Sequence, residues 1–497
     1  MHKRIFRSSS AQIIVFIARF AQQILLVPLF LVSWGTLAYA DWLFLYSATL
    51  FASFADFGMQ TYFANRLQET WARQETAEHQ QVFSTMLGAH LLAICLVISA
   101  AALSTLAIEP ATLFNLRVIS PDVATKILWL LSGTTILGVI QGVFVQLYRA
   151  RERFDRTASA ATLLLVLQTM AISAALSFKA TPLETAWANF AASGLSCLLI
   201  MYDCKRIYQD IRYRLALPDR RGCLEIYAKA PFFMLSNMAA LGVQNGPVLV
   251  VGQFATSPIA IVSFTLLRTF TGLIRMVANQ FAMGTTVEIV HHHMAGKERA
   301  GISRLFLDAT AIITAIIGAP SGLLWVIGSF MLAIWSRHHL AFDRNIFTAL
   351  LLAAVLAAPA QIPTIFLAYT NRPRSMAISN VGLLVFGVGL GIPATIFYGA
   401  GGMAWLLLIV EMVLFPGYLA HKVCALFHFS YLRFLMFSFG IAMTTMVLGG
   451  FLAQVLLSLI RPDSIYKLIG FGAAWGCVVV VVVAAVSASA RAYRRPY

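Results

Sequence analysis

Four basic side chains lie within stretches of sequence that are otherwise long and apolar enough to cross a membrane. They are Arg19, Lys229, Arg268 and Arg275. A cation near the centre of a bilayer costs at least roughly 2.5–3.5 kcal/mol to insert, so it seldom faces lipid and usually lines a protein interior or a water-filled path. Guanidinium groups are weakly hydrated and bind phosphate oxygens in pairs. We therefore predict that these residues line a site for an anionic, phosphate-bearing substrate.

The stretch that carries two of the arginines has a polar face. Thr265, Arg268, Thr271, Arg275 and Asn279 recur at spacings of three and four residues. This spacing places side chains on one side of an α-helix. Both arginines are therefore expected to point into the same site.

Polar stripes mark other apolar stretches as well. Asp56 shares a stripe with Ser53 and Gln60, and Asn237 and Gln244 lie seven residues apart in a later stretch. Seven residues are about two helical turns, so each set is expected to share one helix face. These side chains are candidates for further contacts with the substrate.

Two roles for Asp56 remain open at this point. Arg19, Asp56 and Arg275 all lie roughly 15 Å from the predicted cytoplasmic ends of their helices, given the rise per residue of an α-helix. Asp56 is either a coupling group that takes up a proton or a cation, or a counter-ion of Arg19 or Arg275 that fixes helix packing. Lys229 lies nearer the predicted cytoplasmic entrance, where it either contacts substrate or extends its ammonium group to the membrane surface.

The composition sets the fold class. Hydrophobic residues make up 60% of the chain and charged residues 11%, which is far from the average for a soluble domain. The apolar stretches predict an all-α polytopic membrane protein with about fourteen transmembrane helices, arranged as two six-helix lobes around a central cavity plus two C-terminal helices. We expect an N-terminal lobe over 1–203, a cytoplasmic basic linker over 204–225, a C-terminal lobe over 226–420, and helices thirteen and fourteen with a cytoplasmic tail over 421–497.

The basic residues also predict the orientation. Most of the 36 Lys and Arg residues fall on the termini and on alternate loops, which places both termini in the cytoplasm. The net charge of +16 then follows from membrane topology and does not indicate nucleic-acid binding. Three consecutive histidines, 291–293, are interpreted as a feature of a short cytoplasmic loop at the membrane interface, and no metal or cofactor is expected.

The predicted linker contains alternating aromatic and basic residues. Tyr208, Arg212, Tyr213 and Arg214 predict a short amphipathic helix on the inner surface of the membrane.

Two segments carry a family resemblance. Residues 40–46, ADWLFLY, and residues 53–59, SFADFGM, followed by Asn65 and Arg66, resemble the first outer loop and second helix of polysaccharide flippases of the O-antigen type. These belong to the multidrug/oligosaccharidyl-lipid/polysaccharide exporter superfamily. The resemblance implies an exporter of the bacterial inner membrane that moves an undecaprenyl-diphosphate-linked oligosaccharide from the cytoplasmic to the outer leaflet by alternating access.

The resemblance also implies roles for the polar residues and partners for the protein. The diphosphate would be bound by Arg19, Arg268, Arg275 and Lys229. The sugar would be bound by Asn237, Gln244 and Asn279. Helices thirteen and fourteen would hold the polyprenyl chain, and the partners would be membrane lipids and the polymerase and chain-length components of the same pathway.

Two other functions are alternatives to this one. A multidrug-type cation antiporter shares the superfamily fold but needs acidic cavity residues, whereas the deep charges here are mainly arginines. A membrane-embedded polysaccharide polymerase or glycosyltransferase needs a sizeable outer loop, and the largest predicted outer connections, about 109–122 and 335–344, are short. The protein is therefore expected not to be an enzyme.

Overall fold

The chain folds into helices throughout the part that the computed structural model describes. The described residues are 2–107, 116–151, 153–217, 231–255, 257, 259–294, 299–337, 339–370, 373–428 and 430–460, with 475, 476, 479, 482, 484 and 486. The helices are α1 (His2–Thr49), α2 (Met59–Ala72), α3 (Thr76–Ala107), α4 (Pro121–Ala150), α5 (Phe154–Ser177), α6 (Pro182–Ile207), α7 (Pro231–Phe254), α8 (Ala260–Met294), α9 (Arg299–Trp335), α10 (Arg344–Ala357), α11 (Gln361–Tyr369), α12 (Pro373–Gly382), α13 (Gly391–Met412), α14 (His421–Phe427) and α15 (Tyr431–Ile460).

Within these residues, ten stretches are long and apolar enough to cross a membrane. The predicted all-α, multi-pass fold is thus confirmed. Two of the ten contain a sharp break at a glycine, Gly35 in α1 and Gly399 in α13, with φ of 72° and 63°. Glycine adopts this left-handed conformation without the penalty that a Cβ imposes. Each break lies between two predicted transmembrane helices. Gly35 separates the predicted first and second helices, and Gly399 separates the predicted eleventh and twelfth.

Several elements depart from regular α-helix. A 3₁₀ segment, Leu50–Asp56, follows α1, and another, Ala358–Ala360, joins α10 to α11 around Pro359. Two π-helical segments, Leu383–Gly389 and Val413–Ala420, follow α12 and α13. Such segments in a membrane helix expose or shift backbone groups and often mark functional sites.

The chain packs as two compact units. The first comprises Met1–Gln253, Ser257–Val262 and Trp335–His339, and its core includes the contacts of α4 with α6 and of α1 with α5. The second comprises Phe254–Thr256, Ser263–Ile334 and Leu340–Tyr497, and α10 packs there against α13.

The side chain of Asp41, in α1, binds the backbone of the segment that precedes α4. Its side chain is buried, and its carboxylate accepts hydrogen bonds from the backbone N–H groups of Arg117, Val118 and Ile119 at 2.8–3.0 Å. A carboxylate that satisfies three backbone donors is a strong, charge-assisted anchor. Asp41, part of the family-like segment 40–46, therefore has a structural role.

Residues 208–217 form a non-helical strap along α3, so the predicted amphipathic helix is wrong for this part of the linker. The side chain of Gln80 accepts a hydrogen bond from the backbone N–H of Arg212 at 2.7 Å and donates one to its carbonyl oxygen at 2.6 Å. The backbone N–H of Ala216 donates a hydrogen bond to the carbonyl oxygen of Ser84 at 3.1 Å. Ala216 also lies against Gly88, because a Cβ added at Gly88 would come within 2.1 Å of the Ala216 carbonyl oxygen. The α3 backbone and the Gln80 amide thus take the hydrogen bonds that a helix would have made within the segment.

An ion pair holds the beginning of the strap. The Arg151 guanidinium lies over the rings of Trp71 and Tyr208, at 4.2 and 4.6 Å from their centroids, and pairs with Asp210 at 2.5 Å. This hydrogen bond lowers the pKa of Asp210, and burial raises the pKa of Tyr208 to about 12.

In the second unit, α9 and α15 approach closely through small residues. A Cβ on Gly322 would lie 2.0 Å from the carbonyl oxygen of Met446, and one on Gly449 would lie 2.4 Å from that of Ala319. Small residues let membrane helices come into backbone contact. The predicted thirteenth helix is therefore packed firmly on this unit, while the predicted fourteenth, 465–488, lies largely outside the described residues.

Candidate functional sites in the two units

In the first unit, the predicted second transmembrane helix, 42–65, is interrupted at Asp56. The 3₁₀ segment ends at this residue, and Phe57 and Gly58 follow in the left-handed conformation with φ of 47° and 71° before α2 begins at Met59. The Asp56 carboxylate accepts a hydrogen bond from the backbone N–H of Gln60 at 3.1 Å, which satisfies a donor in the first turn of α2. Discontinuous membrane helices of this kind are characteristic of ion and substrate sites in transporters.

The second partner of Asp56 is His90, a residue of α3. Nε2 of His90 lies 3.0 Å from Oδ1 of Asp56, and Nδ1 lies 2.8 Å from the carbonyl oxygen of Met86. The His90 side chain is 2% exposed and that of Asp56 is 21% exposed. The carboxylate thus lies between a buried imidazole and a more open space.

This geometry fixes the number of protons in the pair. A carbonyl oxygen only accepts hydrogen bonds, so Nδ1 of His90 must carry a hydrogen. The contact between Nε2 and the carboxylate then requires a second proton, located on either His90 or Asp56. With that proton the pair has no net charge, and without it the pair carries one negative charge in a membrane-spanning region.

The open space beside Asp56 is a cavity of about 430 Å³ within the first unit. Its polar lining consists of Ser53, Asp56, Gln60, Thr135 and Gln244. The structure thus brings together the predicted coupling residue and one predicted sugar-binding residue, which lie on separate helices. A cavity of this size accommodates a small polar group beside the carboxylate.

Gln60 is held by contacts with α4. Its amide donates to the carbonyl oxygen of Val139 at 3.3 Å and accepts from the side chain of Gln146 at 3.4 Å. The side chain lies so close to Gly142 that a Cβ there would come within 2.5 Å of the amide oxygen. Gln60 is therefore fixed to α4. The predicted stripe of Ser53, Asp56 and Gln60 does not lie on one helix face, because the break at Phe57 and Gly58 separates Asp56 from Gln60.

In the second unit, Arg268 and Arg275 lie two turns apart on α8, as predicted. Arg275 donates from Nη2 to Oε2 of Glu411 at 2.6 Å, and the two side chains are 28% and 13% exposed. Glu411 is also an electrostatic neighbour of Arg268. Two guanidinium groups and one carboxylate give this cluster, Arg268, Arg275 and Glu411, a formal charge of +1.

Each of the predicted partners Asp56 and Arg275 has an oppositely charged or titratable contact within its own unit, His90 for Asp56 and Glu411 for Arg275. Arg19 is exposed on α1, and the described hydrogen bonds and ion pairs do not join it to Asp56. Thr271 donates its hydroxyl hydrogen to the backbone of its own helix, at Leu267 and Arg268. The amide of Asn279 contacts the sulfur of Met283 at 3.8 Å, one turn further along α8.

Other predicted residues lie beyond the described part of the chain. This applies to Lys229, to the side chain of Asn237 in α7 and to the side chains of the histidines at 291–293. The three histidines occupy the last turns of α8, so their placement in a loop is wrong. Within the described residues, His, Cys, Asp and Glu form no group of three that could hold a metal ion.

Sequence reasoning missed His90 and gave Glu411 no role beyond that of a membrane-embedded acid. Each is a polar residue in a long apolar stretch, which is the same signal that identifies the arginines. Neither belongs to a polar stripe on its own helix, so their partners became visible only in three dimensions.

The same fold occurs in transporters of known structure. A structure of the lipid II flippase MurJ in an inward closed conformation matches with a TM-score of 0.68 at 14% identity, over 97% of this chain and 98% of that chain. An inward-facing multidrug resistance MATE family transporter of the MOP superfamily matches with a TM-score of 0.60 at 14% identity, over 85% and 95%. The Vibrio cholerae MATE transporter VcmN in its bent form matches with a TM-score of 0.56 at 13% identity, over 88% and 98%. The sequence matches no family model and no curated protein.

Proposed function

We propose that this protein is a flippase that moves an undecaprenyl-diphosphate-linked oligosaccharide from the cytoplasmic to the outer leaflet of the bacterial inner membrane by alternating access. The observation that carries this proposal is the cationic cluster of α8, in which Arg275 pairs with Glu411 and Arg268 is an electrostatic neighbour of the same carboxylate. A net positive site among membrane-spanning helices suits a diphosphate, because paired guanidinium groups bind phosphate oxygens strongly in a weakly hydrated environment. The fold shared with a lipid II flippase supports the same class of cargo.

The remaining site residues have narrower proposed roles. Arg268 and Arg275 bind the diphosphate, with Arg19 and Lys229 as further cationic contacts. Gln244, Asn237 and Asn279 contact the sugar. Both termini are cytoplasmic, and the polymerase and chain-length components of the same pathway are proposed partners.

We further propose that Asp56 and His90 couple transport to an ion gradient. The pair changes from no net charge to one negative charge when it loses its proton. A charge change in a membrane-spanning region biases the equilibrium between conformations that hydrate the site differently. A proton is the ion that fits a carboxylate already facing an imidazole, whereas a metal cation would prefer several oxygen ligands.

The competing function is multidrug transport, since the fold also occurs in MATE transporters. The sign of the charge distinguishes the two functions. A cationic drug would be repelled by the +1 cluster of α8 but would be tolerated near Asp56. The test must therefore present both classes of cargo.

The decisive experiment is transport in proteoliposomes. The native protein is expected to translocate a fluorescent undecaprenyl-diphosphate oligosaccharide, and Arg268→Ala and Arg275→Ala are expected to lose most of this activity while inserting normally. Arg374→Ala, which removes an exposed arginine of the same unit, is the matched control and should transport normally. Unimpaired transport by both α8 variants would contradict the anion site. Efflux of a cationic dye alone would favour the multidrug function. Glycan elongation without translocation would favour a polymerase.

A further inference from the structure

Glu411 already occupies the position on Arg275 that an anionic cargo group would take. The two side chains are joined by a 2.6 Å contact in a mostly buried setting. A hydrogen bond between two charged groups is about twice as strong as a neutral one. A diphosphate can therefore bind Arg275 through this donor only by replacing the Glu411 carboxylate.

The electrostatics of the cluster favour this replacement. Glu411 supplies one negative charge to two guanidinium groups, because it is a neighbour of both Arg268 and Arg275. A diphosphate group supplies at least two negative charges and more acceptor oxygens than the single carboxylate of Glu411, so its attraction to Arg275 is stronger. The released carboxylate, in contrast, loses its partner, and an unpaired buried charge is costly. The two effects oppose each other, which keeps the binding reversible.

The backbone beside Glu411 offers a way to move it. Glu411 lies in the last turn of α13, directly before the π-helical segment Val413–Ala420, which also contains Pro416. A π-helical segment and a proline each disrupt the regular hydrogen-bond ladder and allow a membrane helix to bend there. A small change in this segment would withdraw the carboxylate from Arg275 or return it.

We propose that Glu411 is an internal competitor of the anionic cargo. It holds Arg275 when the site is empty, gives way to the diphosphate on loading, and displaces the diphosphate again at release. Glu411 is thus a positioning residue that sets the balance between binding and release. This inference rests on the proposed flippase function.

The test compares cargo affinity with turnover in the full-length protein. Glu411→Gln removes the charge but keeps the shape, so undecaprenyl diphosphate is expected to bind about tenfold more tightly while translocation slows several-fold. Glu411→Asp keeps the charge but shortens its reach, so a smaller increase in affinity is expected. Glu288→Gln removes an exposed carboxylate from α8 in the same unit and should match the native protein in both measurements.

The outcomes separate this inference from the proposed function. If undecaprenyl diphosphate does not bind the native protein, the flippase function is wrong. If it binds the native protein and Glu411→Gln equally, with equal turnover, the flippase function stands and the competitor role is overturned. If Glu411→Gln loses both affinity and turnover, the ion pair has a structural role and the competitor role of Glu411 is overturned. If Glu411→Gln does not insert, unchanged affinity in Glu411→Asp decides against the proposal.

Discussion

Nε2 of His90 lies 3.0 Å from Oδ1 of Asp56, and these two residues join a buried position of α3 to the break between the 3₁₀ segment and α2. The contact lies at the point where the helix is interrupted. The break frees the carboxylate to bind His90 while its Oδ1 atom also accepts the N–H of Gln60. One residue thus completes the start of α2 and contacts a buried imidazole.

We expect Asp56→Asn to abolish the response of transport to a proton gradient. An amide does not titrate, so the variant has no carboxylate at this position that can gain or lose a proton. The measurement is the initial rate of cargo translocation in proteoliposomes with an imposed pH difference. Asp122→Asn, which alters an exposed carboxylate in the first turn of α4, should retain the native response.

A different result would identify another coupling ion. If the native protein responds to a sodium gradient, and Asp56→Asn loses that response, Asp56 binds a cation in place of a proton. If Asp56→Asn still responds to the proton gradient, the pair is structural. Folding must be checked in this variant, because removing one member of a buried charged pair costs roughly 3–5 kcal/mol in soluble proteins.

Asp41→Ala is expected to destabilise the first unit by about 1–3 kcal/mol, the usual cost of leaving buried donors unsatisfied. The backbone N–H groups of Arg117, Val118 and Ile119 would lose their acceptor. Thermal unfolding in detergent would measure the change, with Asp122→Ala as the control because that exposed carboxylate lies close to the same three residues in sequence. Equal melting temperatures for the two variants would show that Asp41 is not an anchor.

Two glycine substitutions in α15 should have opposite effects. A Cβ at position 449 would lie 2.4 Å from the carbonyl oxygen of Ala319, whereas one at position 440 would meet nothing within 4 Å. Gly449→Ala is therefore expected to destabilise the contact between α9 and α15 by about 1–3 kcal/mol, as overpacking does. Gly440→Ala should be neutral or stabilising by up to about 1 kcal/mol, since alanine favours helix. Thermal unfolding of both variants in the same detergent would measure this, and a loss of stability in Gly440→Ala alone would contradict it.

Gln80→Ala is expected to loosen the strap over residues 208–217. The variant loses both hydrogen bonds to the backbone of Arg212, so trypsin should cleave faster after Arg212 and Arg214. The control is Gln209→Ala, an exposed residue at the start of the strap. Unchanged cleavage in Gln80→Ala would mean that other contacts hold the strap.

The strap should also respond to acid in a defined direction. Arg151 lowers the pKa of Asp210, so the ion pair contributes stability above the ordinary pKa of an aspartate and loses it as the pH falls through the lowered value. Protection of the strap should therefore persist through the neutral and weakly acidic range. Hydrogen exchange at Ile211 and Arg212 over this range would measure it, and loss of protection near pH 6 would contradict this assignment.

Elements that depend on local composition could be predicted from the amino-acid sequence. Long apolar stretches predicted a polytopic all-α fold, because each membrane helix must satisfy its own backbone hydrogen bonds and bury its side chains in lipid or protein. The regular spacing on α8 placed Arg268 and Arg275 on one face, since helical periodicity is a local property. The amphipathic pattern of Tyr208 and Arg212 predicted the wrong structure, because the hydrogen bonds of that segment are taken by α3.

Which charges are paired depends on how the helices pack in three dimensions. Asp56 lies 34 residues from His90, and Arg275 lies 136 residues from Glu411. Carboxylates and cations in a membrane protein have several partners of the right charge, and sequence spacing does not rank them once they lie on different helices. Packing brings one partner within hydrogen-bond distance and excludes the others. The contacts of Asp56 with His90 and of Arg275 with Glu411 therefore follow from the folded chain.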